Sequence, residues 1–246
     1  MPALLEICVT SIDSAVAAER GGAARVELCS DLLEGGVTPS AGLIARTRAR
    51  VRIGLHVLVR PRGGDFCYGD DELGAMEDDV RMAKQLGADG IVLGVLHADG
   101  RVDVERTRRL VELARPLGVT FHRAFDMAAD PPRALAEVIA TGADRLLTSG
   151  GAGSADEGAG TIAALVKAAG PRLTVMAGGG IRASNARAIV ERTGVAELHA
   201  GLEEAVEGPM VHRPALSLGA ADREFRRFLV REETVRAFVN NLSSET

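Results

Sequence analysis

Short apolar, β-branched runs alternate with helix-patterned stretches along the whole chain, which predicts repeated strand–helix units. The strand candidates are LLEICVTS from Leu4, RVELCS from Arg25, RIGLHVLVR from Arg52 and GIVLGVL from Gly90. GVTFHRAF from Gly118, RLLTSG from Arg145, LTVMAGG from Leu173 and ELHAG from Glu197 complete the set. Successive starts lie 21, 27, 38, 28, 27, 28 and 24 residues apart, and each gap holds a helical pattern such as DPPRALAEVIATGA. Many of these helices run into a breaker: Gly87-Ala88-Asp89, Gly142-Ala143-Asp144, Thr193-Gly194-Val195. Glycine just past a helix end is the expected stop signal.

Strands alternating with helices give a parallel α/β sheet. Eight units suit closure into a single (β/α)8 TIM barrel, which takes about 250 residues, and this chain has 246. An open doubly wound sheet would need a glycine-rich fingerprint after the first strand, and Thr10-Ser11-Ile12-Asp13 offers none. No linker or break in composition divides the chain, so residues 1–246 are expected to form one barrel domain. Residues 202–246 are expected to add an irregular loop around 207–214 and a closing amphipathic helix, ADREFRRFLVREETVRAFVNNL.

Composition narrows the function. Aromatics are 3% and net charge is −5, a poor match to nucleic acid. No run of 18 apolar residues is present, so no membrane association is expected. The lead before the first strand is only Met1-Pro2-Ala3, so no signal peptide is expected, and three cysteines make no disulfide framework. The protein is therefore expected in the cytoplasm. Lys84 and Lys167 are the only lysines, and both sit in helical patterns, which disfavours Schiff-base chemistry.

Side chains alternate along a strand, so parity sorts interior from helix-facing positions. Leu5, Ile7 and Val9 share the apolar face of strand one, leaving Glu6 and Cys8 inward. The same parity turns Glu27 and Cys29 inward on strand two, and His56, Leu58 and Arg60 on strand three. Strand five is ambiguous; His122 is placed inward, with Arg123 and Asp126 on the rim beyond it. His199 faces opposite to Leu198. Barrel interiors are normally aliphatic, so this charged set is either an ion network of Glu6 and Glu27 with Arg60 or an active site at the strand C-termini. In an active site Glu6, Glu27, His122 and Asp126 would be the candidate acids and bases. Asp126 could instead cap the following helix, although Asp130 before Pro131 is the stronger cap candidate.

Three loops could hold a small anionic, possibly phosphorylated, ligand. The longest follows strand three and carries Arg60, Arg62, Asp65 and the pair Gly63-Gly64, near His56. Thr148-Ser149-Gly150-Gly151 follows strand six and Gly178-Gly179-Gly180 follows strand seven. Exposed N–H groups in such turns cradle anions, although simple turn chemistry would use the same residues. Arg123 would complete the rim.

Cys8 and Cys29 occupy like positions on neighbouring strands, about 4.8 Å apart. Two soft thiolates suit Cu(I); two small buried hydrophobes are the alternative reading. No CxxC or HxxxH spacing indicates zinc.

From about Leu4 to Gly219 the chain resembles the CutC family, named for copper homeostasis. The resemblance rests on Glu6-Ile7-Cys8-Val9, Arg25-Val26-Glu27-Leu28-Cys29, the stretch from Glu34 to Ser40, and Arg60-Pro61-Arg62-Gly63-Gly64-Asp65-Phe66-Cys67-Tyr68. It continues through Phe121-His122-Arg123-Ala124-Phe125-Asp126, Leu147-Thr148-Ser149-Gly150-Gly151 and Met176-Ala177-Gly178-Gly179-Gly180. It implies a cytoplasmic, oligomeric TIM barrel that binds Cu(I) through Cys8 and Cys29. One departure stands after strand eight, where the family commonly reads His-x-Ser-Ala-Arg and this chain reads His199-Ala200-Gly201-Leu202-Glu203.

Overall fold

The structure, a computed structural model, describes residues 3–216 and 223–243. Eight parallel strands close into a barrel in sequence order: β1 (Leu4–Val9), β2 (Arg25–Leu28), β3 (Gly54–Leu58), β4 (Gly90–Leu93), β5 (Gly118–Phe121), β6 (Arg145–Thr148), β7 (Thr174–Gly178) and β8 (Glu197–Gly201). The seam joins β1 to β8 with Leu4 opposite Glu197 and Cys8 opposite Gly201. Every strand read from the hydrophobic pattern is present; β8 matches its run, and the other seven are shorter because their ends turn into loops.

Seven helices follow the first seven strands: α1 (Ile12–Arg20), α2 (Ala41–Arg48), α3 (Asp70–Gln85), α4 (Val104–Ala114), α5 (Pro131–Thr141), α6 (Ala159–Ala169) and α7 (Ala186–Thr193). Local chemistry starts them. Ser11, Ser40, Asp103 and Asp130 each accept a bond from a backbone N–H in the first turn, at 3.0–3.2 Å. Asp130 is thus the cap expected from sequence, with Pro131 opening α5. Gly142 ends α5 at φ 82°, where any other residue is strained.

The aspartates after these helix ends have a second task. Asp89 Oδ2 accepts from Leu55 N at 2.8 Å, and Asp144 Oδ2 accepts from Val119 N at 2.7 Å. Each satisfies an N–H near the start of the preceding strand. Each also pairs with an arginine, Arg48 and Arg115 respectively.

The closing segment differs from the expected loop and long helix. Residues 203–207 form β9 (Glu203–Glu207), which pairs antiparallel with β10 (Arg226–Val230). Among the described residues of this segment, Glu232–Ser243 alone is helical (α8). The expected helix therefore overruns a strand: Phe225, Phe228 and Leu229 fit helical spacing, but Phe228 and the β-branched Val230 also suit a strand, and pairing with β9 decides. Residues 221–222 of that expected helix lie outside the described residues. Val235 and Phe238 are the buried face of the true helix. Gly21 makes its docking possible, because a Cβ there would lie 2.5 Å from Val235 Cβ.

Two cores result. Apolar strand faces pack outward against the helices as one large cluster. Inside the barrel a separate small one holds Cys8, Cys29, Leu58 and Val92.

Candidate functional site

The barrel interior is stacked in layers, and the lowest is ionic. Glu6 is fully buried and pairs with Arg25 Nε; Arg25 Nη2 reaches Glu197 Oε2 at 2.6 Å, and Arg145 Nε meets the same oxygen at 2.6 Å. His199 Nδ1 lies 2.8 Å from Glu6 Oε1, and His56 Nδ1 lies 3.6 Å from Glu6 Oε2. An ion network is present, as one sequence reading held, but its cations are Arg25 and Arg145 rather than Arg60. Arg25 shares parity with Glu27, and Glu197 with His199, so alternation alone could have found both.

Burial pushes the Glu6 carboxyl up, but the His199 hydrogen bond and the Arg25 charge outweigh it and hold Glu6 well below the usual carboxylate range. His199 goes the other way. Burial disfavours its cation, yet Glu27, Cys8 and Glu6 overcome that and raise it well above an ordinary histidine. His199 is therefore an imidazolium between two carboxylates, with Nε2 3.6 Å from Glu27 Oε2. Burial instead pushes the Glu27 carboxyl upward.

Above this layer sit the two thiols. Cys8 Sγ and Cys29 Sγ are 3.0 Å apart and share a hydrogen. Both are free and buried. One ligand atom from each of Cys8, Glu27 and Cys29 lies within 4.8 Å of the others. The Cys29 hydrogen bond and burial push the Cys8 thiol well up. For Cys29 the bond to Cys8 acts downward, but burial and the Glu27 charge outweigh it, so this thiol is raised too.

The thiols line the floor of a cavity of about 520 Å³ at the strand C-termini. Glu27, His199, His122, Arg60, Arg123 and Asp126 line it as well, with Gly179 and Gly180. Glu6 and His56 lie below, outside the lining. Two glycines on the β4 side make room for the histidines. A Cβ at Gly90 would lie 2.5 Å from the His56 ring, and one at Gly94 2.7 Å from His122. Burial is the main cause that lowers His56 to about 4, and burial with the Arg60 charge lowers His122 to about 3. Both rings are neutral.

The three loops of sequence interest have different tasks. Arg60 is 5% exposed and donates to Glu34 O (2.6 Å), Gly36 O (2.7 Å) and Gly64 O (2.8 Å) while facing the cavity. Arg62 points away from the lining; it ties the loop to Glu72 (2.6 Å) and Asp65 (3.1 Å). The turn after β6 does hold an anion, but an internal one. Ser149 N, Ser149 Oγ and Gly151 N each donate to the Asp126 carboxylate at 3.0–3.1 Å, and Thr148 Oγ1 also donates to it. Arg123 Nε closes this knot at 2.7 Å. Asp126 therefore anchors the β6 turn and does not cap α5. Gly150 N is taken by Thr148 Oγ1. Gly178 is a packing position, where a Cβ would lie 2.5 Å from Leu147 Cδ1. Gly179 and Gly180 alone of the expected glycine loops reach the cavity, where Arg182, Leu32 and Met127, not singled out from sequence, join them. Nothing in the sequence pattern marks these three, because loop side chains carry no periodicity.

No helix among the described residues is long and apolar enough to cross a membrane. The CutC family model matches residues 3–204. A family protein CutC of Chromobacterium violaceum is 53% identical over 213 residues, covering 87% of this chain and 86% of that protein. The human copper homeostasis protein cutC homolog is 47% identical over 219 residues, covering 89% and 80%. A crystal structure of CutC from Streptococcus agalactiae superposes with a TM-score of 0.75 at 35% identity, covering 80% of this chain and 97% of that one.

Proposed function

The chain belongs to the CutC family, and from that premise we propose that it binds Cu(I) as cargo between Cys8 and Cys29, in a role in copper homeostasis. One observation carries the reading: two free thiols 3.0 Å apart at the floor of an open cavity. The donor set fits. Thiolate sulfur is the soft ligand that Cu(I) prefers, and Leu58 and Val92 supply an apolar surround. Glu27 stands close enough to take part. Because both thiols are held protonated, uptake must release protons, and affinity should rise with pH. The name of the human relative, copper homeostasis protein cutC homolog, supports the same reading. The same proposal favours a cytoplasmic location, where thiols stay reduced.

The test is a Cu(I) titration of the reduced protein against a competing chelator, with Cys8→Ser/Cys29→Ser alongside. The expected result is one tightly held ion per chain, absent from the double variant. Equal binding by the two proteins would overturn the assignment and return both cysteines to the core.

A further inference from the structure

A metal ion at the two thiols would leave most of the cavity unused. At about 520 Å³ it falls in the range that encloses a small organic molecule. Its outer wall is cationic in a chain of net charge −5. Arg60, Arg123 and Arg182 all line it. Arg60 is the most telling. It is 5% exposed, its Nε has no hydrogen-bond partner, and among the described residues no carboxylate pairs with it. Carbonyl dipoles and the Phe66 ring, 4.9 Å from its Cζ, serve this buried cation without supplying a counter-charge, which is costly unless a negative charge joins it. His122 Nε2 is likewise buried without a partner. Its Nδ1 accepts from Ala124 N, so Nε2 carries the hydrogen and is an unused donor.

The turn after β7 supplies further donors. Gly179 and Gly180 have φ of 96° and 70°, and their N–H groups have no partner among the described residues. Arg123 leans over this turn: a Cβ at Gly179 would lie 3.4 Å from Arg123 Nη1. Nε and Nη2 of Arg123 are engaged by Asp126 and Ser149, which fixes the guanidinium and leaves Nη1 for a ligand. Among the described residues the Arg182 side chain bonds Ile181 O alone, at 2.9 Å. Asp126 pairs with Arg123, so Arg60 and Arg182 are the cations of this wall that no carboxylate among the described residues offsets, and Arg123 contributes a fixed donor.

We propose that the outer cavity binds a small organic oxyanion, a phosphate ester or a carboxylate, with its charged group between Arg123, Arg182 and the Gly179–Gly180 turn. Its apolar body lies against Leu32, Phe66 and Met127, and a polar far end reaches Arg60 and His122 Nε2, which flank Phe66. The site goes beyond the copper reading and stands without it, since none of its ligands is a cysteine.

The experiment titrates the protein with inorganic phosphate, phenyl phosphate and phenylacetate by calorimetry, at constant ionic strength set with chloride. Arg182→Gln is the diagnostic variant, because Arg182 is exposed and holds only its neighbour's carbonyl. Arg101→Gln, outside the cavity lining, is the control, and Cys8→Ser/Cys29→Ser separates this site from the metal. Phenyl phosphate or phenylacetate is expected to bind more tightly than inorganic phosphate, since only these reach the apolar wall, and the tighter of the two names the head group. Arg182→Gln is expected to weaken that binding about tenfold or more, the loss of one charge-assisted bond. Arg101→Gln and the double cysteine variant are expected to bind as wild type does. Failure of all three probes, or binding indifferent to Arg182→Gln, would overturn the proposal.

Discussion

Three histidines share one barrel interior, and each is set differently by what faces it. His56 and His122 sit in spaces cleared by Gly90 and Gly94, and burial keeps both neutral, at about 4 and about 3. His199 sits between Glu6 and Glu27 and keeps its proton. The stability consequences have opposite signs. The unfolded chain takes up protons at His56 and His122 below about pH 6.5, where the folded chain does not, so stability falls as the pH drops from 6.5 toward 4. The His199 contribution is present in full below pH 6.5 and is lost only as the pH rises through its raised folded value. Each neutral histidine adds a slope of about 1.4 kcal/mol per pH unit. Urea unfolding across this window is therefore expected to show stability falling with pH, with the raised Glu27 carboxyl offsetting part of the histidine loss. His122→Gln should make the fall shallower by roughly 1 kcal/mol per unit; an unchanged slope would show that His122 is charged in the fold. Alternation along β1, β2 and β3 revealed the inward Glu6, Glu27 and His56. It did not reveal which cation pairs with Glu6, because that partner is chosen by barrel stagger and not by parity.

At the scale of elements, the Gly-Ala-Asp ends were legible as helix stops, and Gly142 behaves as one. The clamp made by the aspartate was not legible, since Asp144 reaches Val119 25 residues back and Asp89 reaches Leu55 34 back. A local pattern carries no sign of a partner that distant. Asp144→Ala leaves the Val119 N–H without its acceptor and removes the Arg115 ion pair, and is expected to cost about 1–3 kcal/mol. Asp144→Asn, which keeps an oxygen there, should cost less. Denaturant midpoints for the pair measure this; equal losses would mean that the ion pair, not the N–H bond, matters. Both variants lie at the strand N-termini and should leave ligand binding unchanged. The C-terminal ribbon escaped the sequence reading for a related reason. Residues 226–230 have no strand periodicity of their own, and only pairing with β9 makes them a strand.

For the whole molecule, eight spaced apolar runs were enough to specify a closed barrel, because the count and spacing leave few other closures. The cavity was half legible: strand residues could be placed by parity, loop residues such as Arg182 could not. What holds the barrel shut is less ordinary. Arg25 joins Glu6 on β1 to Glu197 on β8, so one guanidinium spans the seam. Arg25→Met is expected to cost about 3 kcal/mol, since Glu6 keeps only His199 and Glu197 only Arg145 as a partner cation. Adding Glu6→Gln should recover part of that loss. Thermal unfolding of the single and double variants tests the coupling, and simple additivity would argue against it.

The ionic layer beneath the thiols has a kinetic consequence. It closes the bottom of the barrel, which makes the interior a blind alley with one door. Two guests sharing such an alley must queue. The one that sits deeper has to arrive first, and it leaves only after the one in front has gone. A molecule parked at the rim would then set the residence time of anything held at the floor, without touching it and without changing how tightly the floor grips.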